Sequence, residues 1–264
     1  DRTPPTVPVM SGAPEDGAVT NGTEYGYTAT SFDLHFDAFY WSLDGATGVR
    51  ALPGVKFAGN VADGYAKHTV RVFATDTAGN RSAETNWTWT VDTKKPTDLK
   101  LTGLPISDEK IIVTNGFDFA FTASANDDME LTYHWKTNGV EVTDCTSSNF
   151  VGQVSEGTNT VSVYAKDVAG NACDPVERMW VVDAHAPTRP DIDGKPVDGA
   201  ITSDNTYSFS AASTDDTIIT YHWSLDERKG AEQTFAGKDL ADGCRTVFVY
   251  ATDEAGNVSE TNSW

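Results

Sequence analysis

Aspartate is the residue with both the number and the spacing to do chemistry in this chain. Paired carboxylates stand at Asp127-Asp128 and Asp215-Asp216. A single aspartate opens each of three copies of one turn: Asp76-Thr77-Ala78-Gly79-Asn80, Asp167-Val168-Ala169-Gly170-Asn171 and Asp253-Glu254-Ala255-Gly256-Asn257. Another opens each of three copies of a linker, Asp-x-x-x-Pro-Thr, at Asp1, Asp92 and Asp183, a spacing of 91 residues twice over. Two neighbouring carboxylates could serve acid–base hydrolysis. Because each pair holds the same place relative to turn and linker, the pattern points instead to a hard cation such as calcium, which takes six to eight oxygen ligands.

Other chemistry lacks its residues. The histidines at 35, 68, 134, 185 and 222 share no repeated position with a serine, cysteine or carboxylate at a catalytic spacing. There is no glycine-rich phosphate loop and no Cys-x-x-Cys, so the segment is read as having no enzymatic activity. A formal charge of −20 with only 19 lysines and arginines excludes nucleic acid as a partner. With 39% hydrophobic and 11% aromatic residues, the chain is too apolar for disorder. Its apolar residues are spread too evenly for a membrane span, so no membrane contact is expected and the segment is read as a monomer.

Self-similarity at this period means a tandem array. The expected units are residues 1–93, 94–184 and 185–264, the last stopping inside its final strand, since Trp264 follows Asn257 by seven residues as Trp87 follows Asn80. No charged and apolar leader opens the chain, which starts on a linker, and the whole reads as a piece of a longer polypeptide. Before each turn, residues alternate with period two: Val70, Val72 and Ala74; Val161, Val163 and Ala165; Val247, Val249 and Ala251. After it, Trp87, Trp89 and Val91, or Trp180 and Val182, alternate again. That is a strand, a turn and a strand. Earlier strands contain Trp41, Trp135 and Trp223, each inward, so that His134 and His222 face outward. No stretch sustains a helical period. About seven short strands with a tryptophan in the third describe an antiparallel β-sandwich of immunoglobulin type, and the fold class is all-β, three such sandwiches in a row forming a rod.

In that fold the loop between the second and third strands, the loop between the last two, and the entering chain share one pole. Asp92, Asp127 or Asp128, and Asp167 would meet at the first junction; Asp183, Asp215 or Asp216, and Asp253 at the second; and Asp1, Asp33 or Asp37, and Asp76 in an incomplete version at the start. Capping explains the turn aspartates equally well, since Asp at the head of a tight turn accepts backbone N–H groups and Gly-Asn supplies a positive-φ corner. The two readings can coexist. Trp89 belongs to the core with Val91, whereas Trp87 could sit at the rim, as Arg178 holds its place in the second copy.

Trp41-Ser42-Leu43-Asp44-Gly45, Asp63-Gly64, Ala74-Thr75-Asp76-Thr77-Ala78-Gly79-Asn80 and Trp89-Thr90-Val91-Asp92-Thr93 ahead of Pro96-Thr97 resemble the bacterial immunoglobulin-like repeats of large secreted and cell-surface proteins, giant adhesins among them. The resemblance runs through all three copies. It implies an extracellular or bacterial cell-surface location and calcium between domains. It also implies a spacer whose partners are neighbouring domains of the same polypeptide, about 100 Å long if each sandwich spans about 30 Å. Relatives carry a cysteine where Trp41, Trp135 and Trp223 stand, so their usual bridge is missing; Cys145 has Cys173 as its nearest candidate, and the pair is left open. Alternative readings are a glycan- or host-protein-binding module, for which the divergent second copy with Asn138, Cys145-Thr146-Ser147-Ser148 and Pro175 is the place to look, or accessory domains of a secreted glycosidase.

Overall fold

The long strands form because β-branched and aromatic residues recur at every second position, which suits a surface buried on one side only. In Tyr65–Asp76, Val70, Val72 and Ala74 are buried while Arg71 is exposed. The computed structural model describes residues 1–104 and 113–264, and no helix occurs among them. The chain is a tandem of antiparallel β-sandwiches. In the first, the sheet of Val9–Ala13, Glu24–Thr30 and Phe57–Asn60 faces the sheet of Val19–Thr20, Thr85–Asp92, Tyr65–Asp76, Phe36–Leu43 and Val49–Ala51. Three separate cores form: around Trp41 and Trp89, around Trp135 and Trp180, and around Trp223.

Among the described residues the first sandwich has eight strand segments rather than the seven expected, because its first strand breaks and changes sheets. Val9–Ala13 pairs antiparallel with Glu24–Thr30, and Val19–Thr20 then runs parallel to the last strand, with Val19 opposite Thr90. Val113–Thr114 does the same in the second copy. The first part of this strand lies so close to its neighbour that glycine is required. A Cβ on Gly12 would stand 2.2 Å from the Gly26 carbonyl oxygen, and one on Gly103 2.1 Å from that of Ala120.

In the third sandwich the chain reaches its end at Trp264, just after Asn262–Ser263 of a four-stranded sheet. In the first two copies the last strand seats a tryptophan against two rings, Trp89 on Tyr25 and Tyr27 and Trp180 on Phe119 and Phe121. Tyr207 and Phe209 hold the matching places in the third, packed on Phe235 and Trp223.

His134 and His222 lie on the outer sheet face as expected, and each stacks on the tyrosine opposite it in the next strand. The ring centroids of His134 and Tyr164 are 4.8 Å apart, and those of His222 and Tyr250 4.6 Å. Tyr40 and Phe73 repeat the arrangement in the first copy. Trp87 packs on the core, edge-on to Tyr27, and is not a free rim. Asn138 is a turn residue, its Oδ1 accepting the Thr160 amide as Asp44 Oδ1 accepts that of Thr69.

The candidate disulfide does not form, and all three cysteines are free. Cys173 is held elsewhere by its turn: its Sγ accepts the Ala165 amide, the place that Ser82 Oγ takes on Ala74 and Ser259 Oγ on Ala251. Cys145 packs against the core, its thiol directed at the Asn149 carbonyl.

Candidate metal centres at the junctions

Each Asp-x-Ala-Gly-Asn turn closes on itself in the same way. Asp167 Oδ1 accepts the amides of Gly170 and Asn171, and Oδ2 accepts the Asn171 side-chain amide at 2.7 Å. Asp253 makes the same bonds to Asn257, and Asp76 to Asn80. Capping is therefore present in all three turns. It fixes the carboxylates in place and leaves lone pairs on both oxygens.

The turn asparagines do more than the sequence suggested. Asn171 Nδ2 also donates to the Asp92 carbonyl at 2.8 Å, and Asn257 Nδ2 to the carbonyls of Asp183 and His185 at 2.7 and 3.0 Å. Asn80 reaches the Asp1 carbonyl at 3.4 Å. One side chain thus ties the turn to the incoming linker. Positive φ falls on the glycines Gly79, Gly170 and Gly256, which frees the asparagines for this role. Their recurrence in all three copies was the available signal.

At the first junction Asp92, Asp127 and Asp167 each bring a carboxylate oxygen within 4.8 Å of the other two. Asp92 ends the last strand of the first sandwich, opposite Tyr65, while Asp127 and Asp167 come from the second. Asp92 is fully buried. Its Oδ1 accepts the Lys94 amide at 3.0 Å, and its Oδ2 is buried with no hydrogen-bond partner. Asp127 accepts the Met129 amide at 2.8 Å. Burial first, then repulsion from Asp92, Asp167 and Asp128, pushes the Asp127 carboxyl above its ordinary range against the effect of that amide.

The second junction repeats the arrangement. Asp183, Asp215 and Asp253 lie within the same 4.8 Å limit, and Asp183, 7% exposed, has a buried Oδ2 without a partner. Its Oδ1 accepts the His185 amide at 3.1 Å, and Asp215 Oδ1 accepts the amide and hydroxyl of Thr217.

Of each acidic pair only the first member joins its group. Asp128 turns away to Lys94, whose Nζ lies 2.9 Å from its Oδ2, and Asp216 is exposed and outside the group. The first member of each pair caps the bend that follows it, Asp127 accepting the Met129 amide and Asp215 that of Thr217, which fixes its carboxylate at the junction. At the N-terminal pole the group is Asp1, Asp33 and His35. Asp37 binds Arg50 instead, and Asp76 is held by its own turn.

Three like charges so close are unfavourable, at about 3 kcal/mol for each pair with an effective dielectric of about 20 before screening. A divalent cation removes that cost. The donors are all hard oxygens, which suits calcium and not a soft metal. A buried carboxylate oxygen without a donor is what a cation would satisfy and what capping leaves unexplained.

The sequence matches no protein-family model and no curated protein sequence. Solved structures similar to the chain include the fibronectin(III)-like modules of Clostridium thermocellum CbhA, at 17% identity over 66% of this chain and 94% of that one, TM-score 0.43. Domains A168–A170 of titin are similar at 14% identity over 97% and 98%, TM-score 0.44. The three N-terminal domains of the bacteriophage RB49 outer capsid protein Hoc are similar at 14% over 97% and 95%, TM-score 0.42. None of these likenesses bears on what the chain binds.

Proposed function

We propose that the chain is a spacer segment of a larger extracellular protein, of the adhesin-like kind found on bacterial cell surfaces, in which cations at the junctions stiffen a row of sandwiches. The observation that carries this reading is the buried, unpartnered oxygen of Asp92 and of Asp183, each inside an aspartate triad drawn from two adjoining sandwiches. A cation held there ties the last strand of one sandwich to two loops of the next. Asp92, Asp127 and Asp167 would hold the first ion and Asp183, Asp215 and Asp253 the second, with backbone carbonyls and water completing the shell. When bound, calcium supplies charge neutralisation and no reaction.

The chain's own residues prepare the junction. Asn171 and Asn257 fix the linker carbonyls, and Pro96 and Pro187 shorten the range of linker conformations. The partners in this reading are neighbouring sandwiches of the same polypeptide. Calorimetric titration with calcium should find two equivalents, of which Asp92→Asn removes one and Asp183→Asn the other. No heat of binding at millimolar calcium would contradict the reading.

A further inference from the structure

The two junctions are alike in their triads and unlike in what surrounds them. Where the first linker has Lys94, the second has His185, and where the first sandwich has Asp63 before its glycine, the second has Glu156. Lys94 carries its charge to Asp128. His185 instead turns its Nδ1 to Glu156 Oε1 at 3.2 Å, and Glu156, Asp183 and His185 form a second group with all ligand atoms within 4.8 Å. The Ala184 amide donates to both Glu156 oxygens, at 3.2 and 3.3 Å, and holds that carboxylate beside the linker.

We infer that Glu156, Asp183 and His185 form a second cation site at this junction, suited to a borderline divalent metal such as zinc, with Asp183 shared between it and the calcium triad. Two ligands of a tetrahedral zinc at about 2.0–2.1 Å stand roughly 3.3 Å apart, close to the observed gap between imidazole nitrogen and carboxylate. One imidazole and two carboxylates, with water in the fourth place, is a zinc-type donor set, and an imidazole nitrogen is a poor calcium ligand. The buried, unpartnered Asp183 Oδ2, common to both groups, is the sign that a cation is wanted here. Its Oδ1 is already engaged by the His185 amide, and the carboxylate is more than nine-tenths buried. The inference rests on the preceding reading in one respect, that Asp183 is a cation ligand.

The test is a zinc chloride titration of the calcium-saturated chain, with Cys145, Cys173 and Cys244 alkylated so that thiols do not compete. His185→Ala should lose one zinc equivalent while both calcium equivalents remain, and Glu156→Gln should weaken that zinc by roughly tenfold or more. The His185 ring is largely exposed, so the variant should melt with the parent in the absence of metal. Asp253→Asn separates the two ideas: it removes the second calcium and leaves the zinc, so zinc that survives a failed calcium titration still supports the site. A zinc isotherm unchanged by His185→Ala would overturn the inference, since any metal then resides elsewhere, for instance at Asp1, Asp33 and His35. Absence of zinc binding at millimolar concentration would also overturn it.

Discussion

At the first junction a lysine lies against the acidic loop, and at the second a histidine holds its place. Lys94 lies against Asp128, close enough that the pair's hydrogen bond and charge, helped by Asp92 and Asp127, raise the lysine above its ordinary range despite its partial desolvation. The second junction has no lysine at that place, a histidine that reaches Glu156, and an asparagine that grips two linker carbonyls instead of one. Identical triads can therefore differ in how much they need a cation. The second junction should depend on metal more than the first.

The largest test of that difference is calcium itself. At a hundredfold excess over its dissociation constant, one calcium stabilises the folded state by about 2.7 kcal/mol, roughly 10–20 °C in the melting temperature of a sandwich this size. Asp183→Asn should abolish the larger of two such gains and Asp92→Asn the smaller, read by calorimetry with and without chelator. Equal gains would break the comparison.

Next in size is the asparagine tie. Asn257→Ala removes hydrogen bonds to Asp183, His185 and Asp253, whereas Asn171→Ala removes those to Asp92 and Asp167, one linker bond fewer. The additional bond, to the exposed His185 carbonyl, is worth about 0.5–1.5 kcal/mol. Asn257→Ala should be the more destabilising in metal-free melts, and the reverse order would refute the assignment.

The pH dependence sharpens the contrast between a carboxylate in a triad and one held by its turn alone. Asp127 has a folded value raised by burial and by its acidic neighbours, so the stability it contributes is present below the unfolded value and is lost as pH rises through the folded one. Asp76 is pushed up by burial, but donation from the Asn80 side chain and from the amides of Asn80, Ala78 and Gly79 brings it below its ordinary value. Its contribution is present above the unfolded value and is lost as pH falls through the folded one. In metal-free buffer at neutral pH, Asp127→Asn should raise the melting temperature and Asp76→Asn lower it, and both differences should vanish in acid. With calcium added, Asp127→Asn should reverse sign. The smallest effect belongs to Lys94→Ala. It should tighten calcium at the first junction slightly, with a change that fades in high salt, because an exposed pair is screened.

The sandwich was readable because strand alternation and the tryptophans repeat three times. The triads were readable because turn, loop and linker aspartates keep one spacing, and an immunoglobulin topology brings those segments to one pole. Which member of Asp127-Asp128 or Asp215-Asp216 points inward depends on the loop's local twist, which residue order does not record. The Cys145–Cys173 pairing failed for a related reason: Cys173 takes the serine's place in its turn, and that fixes its thiol on the Ala165 amide. His185 and Glu156 lie 29 residues apart, and the first copy has Lys94 and Asp63 in their places, so no repeated residue type drew attention to them.

Small-angle scattering of the chain in calcium and in chelator tests the central claim most directly. Cations that lock both junctions should give a narrow distribution of interatomic distances with a maximum near 100 Å for three sandwiches in line at about 3.3 Å per strand residue. Chelation should shorten and broaden that distribution. The Asp183→Asn variant in calcium should resemble the chelated chain more closely than Asp92→Asn does. Profiles that superimpose with and without calcium would contradict the account.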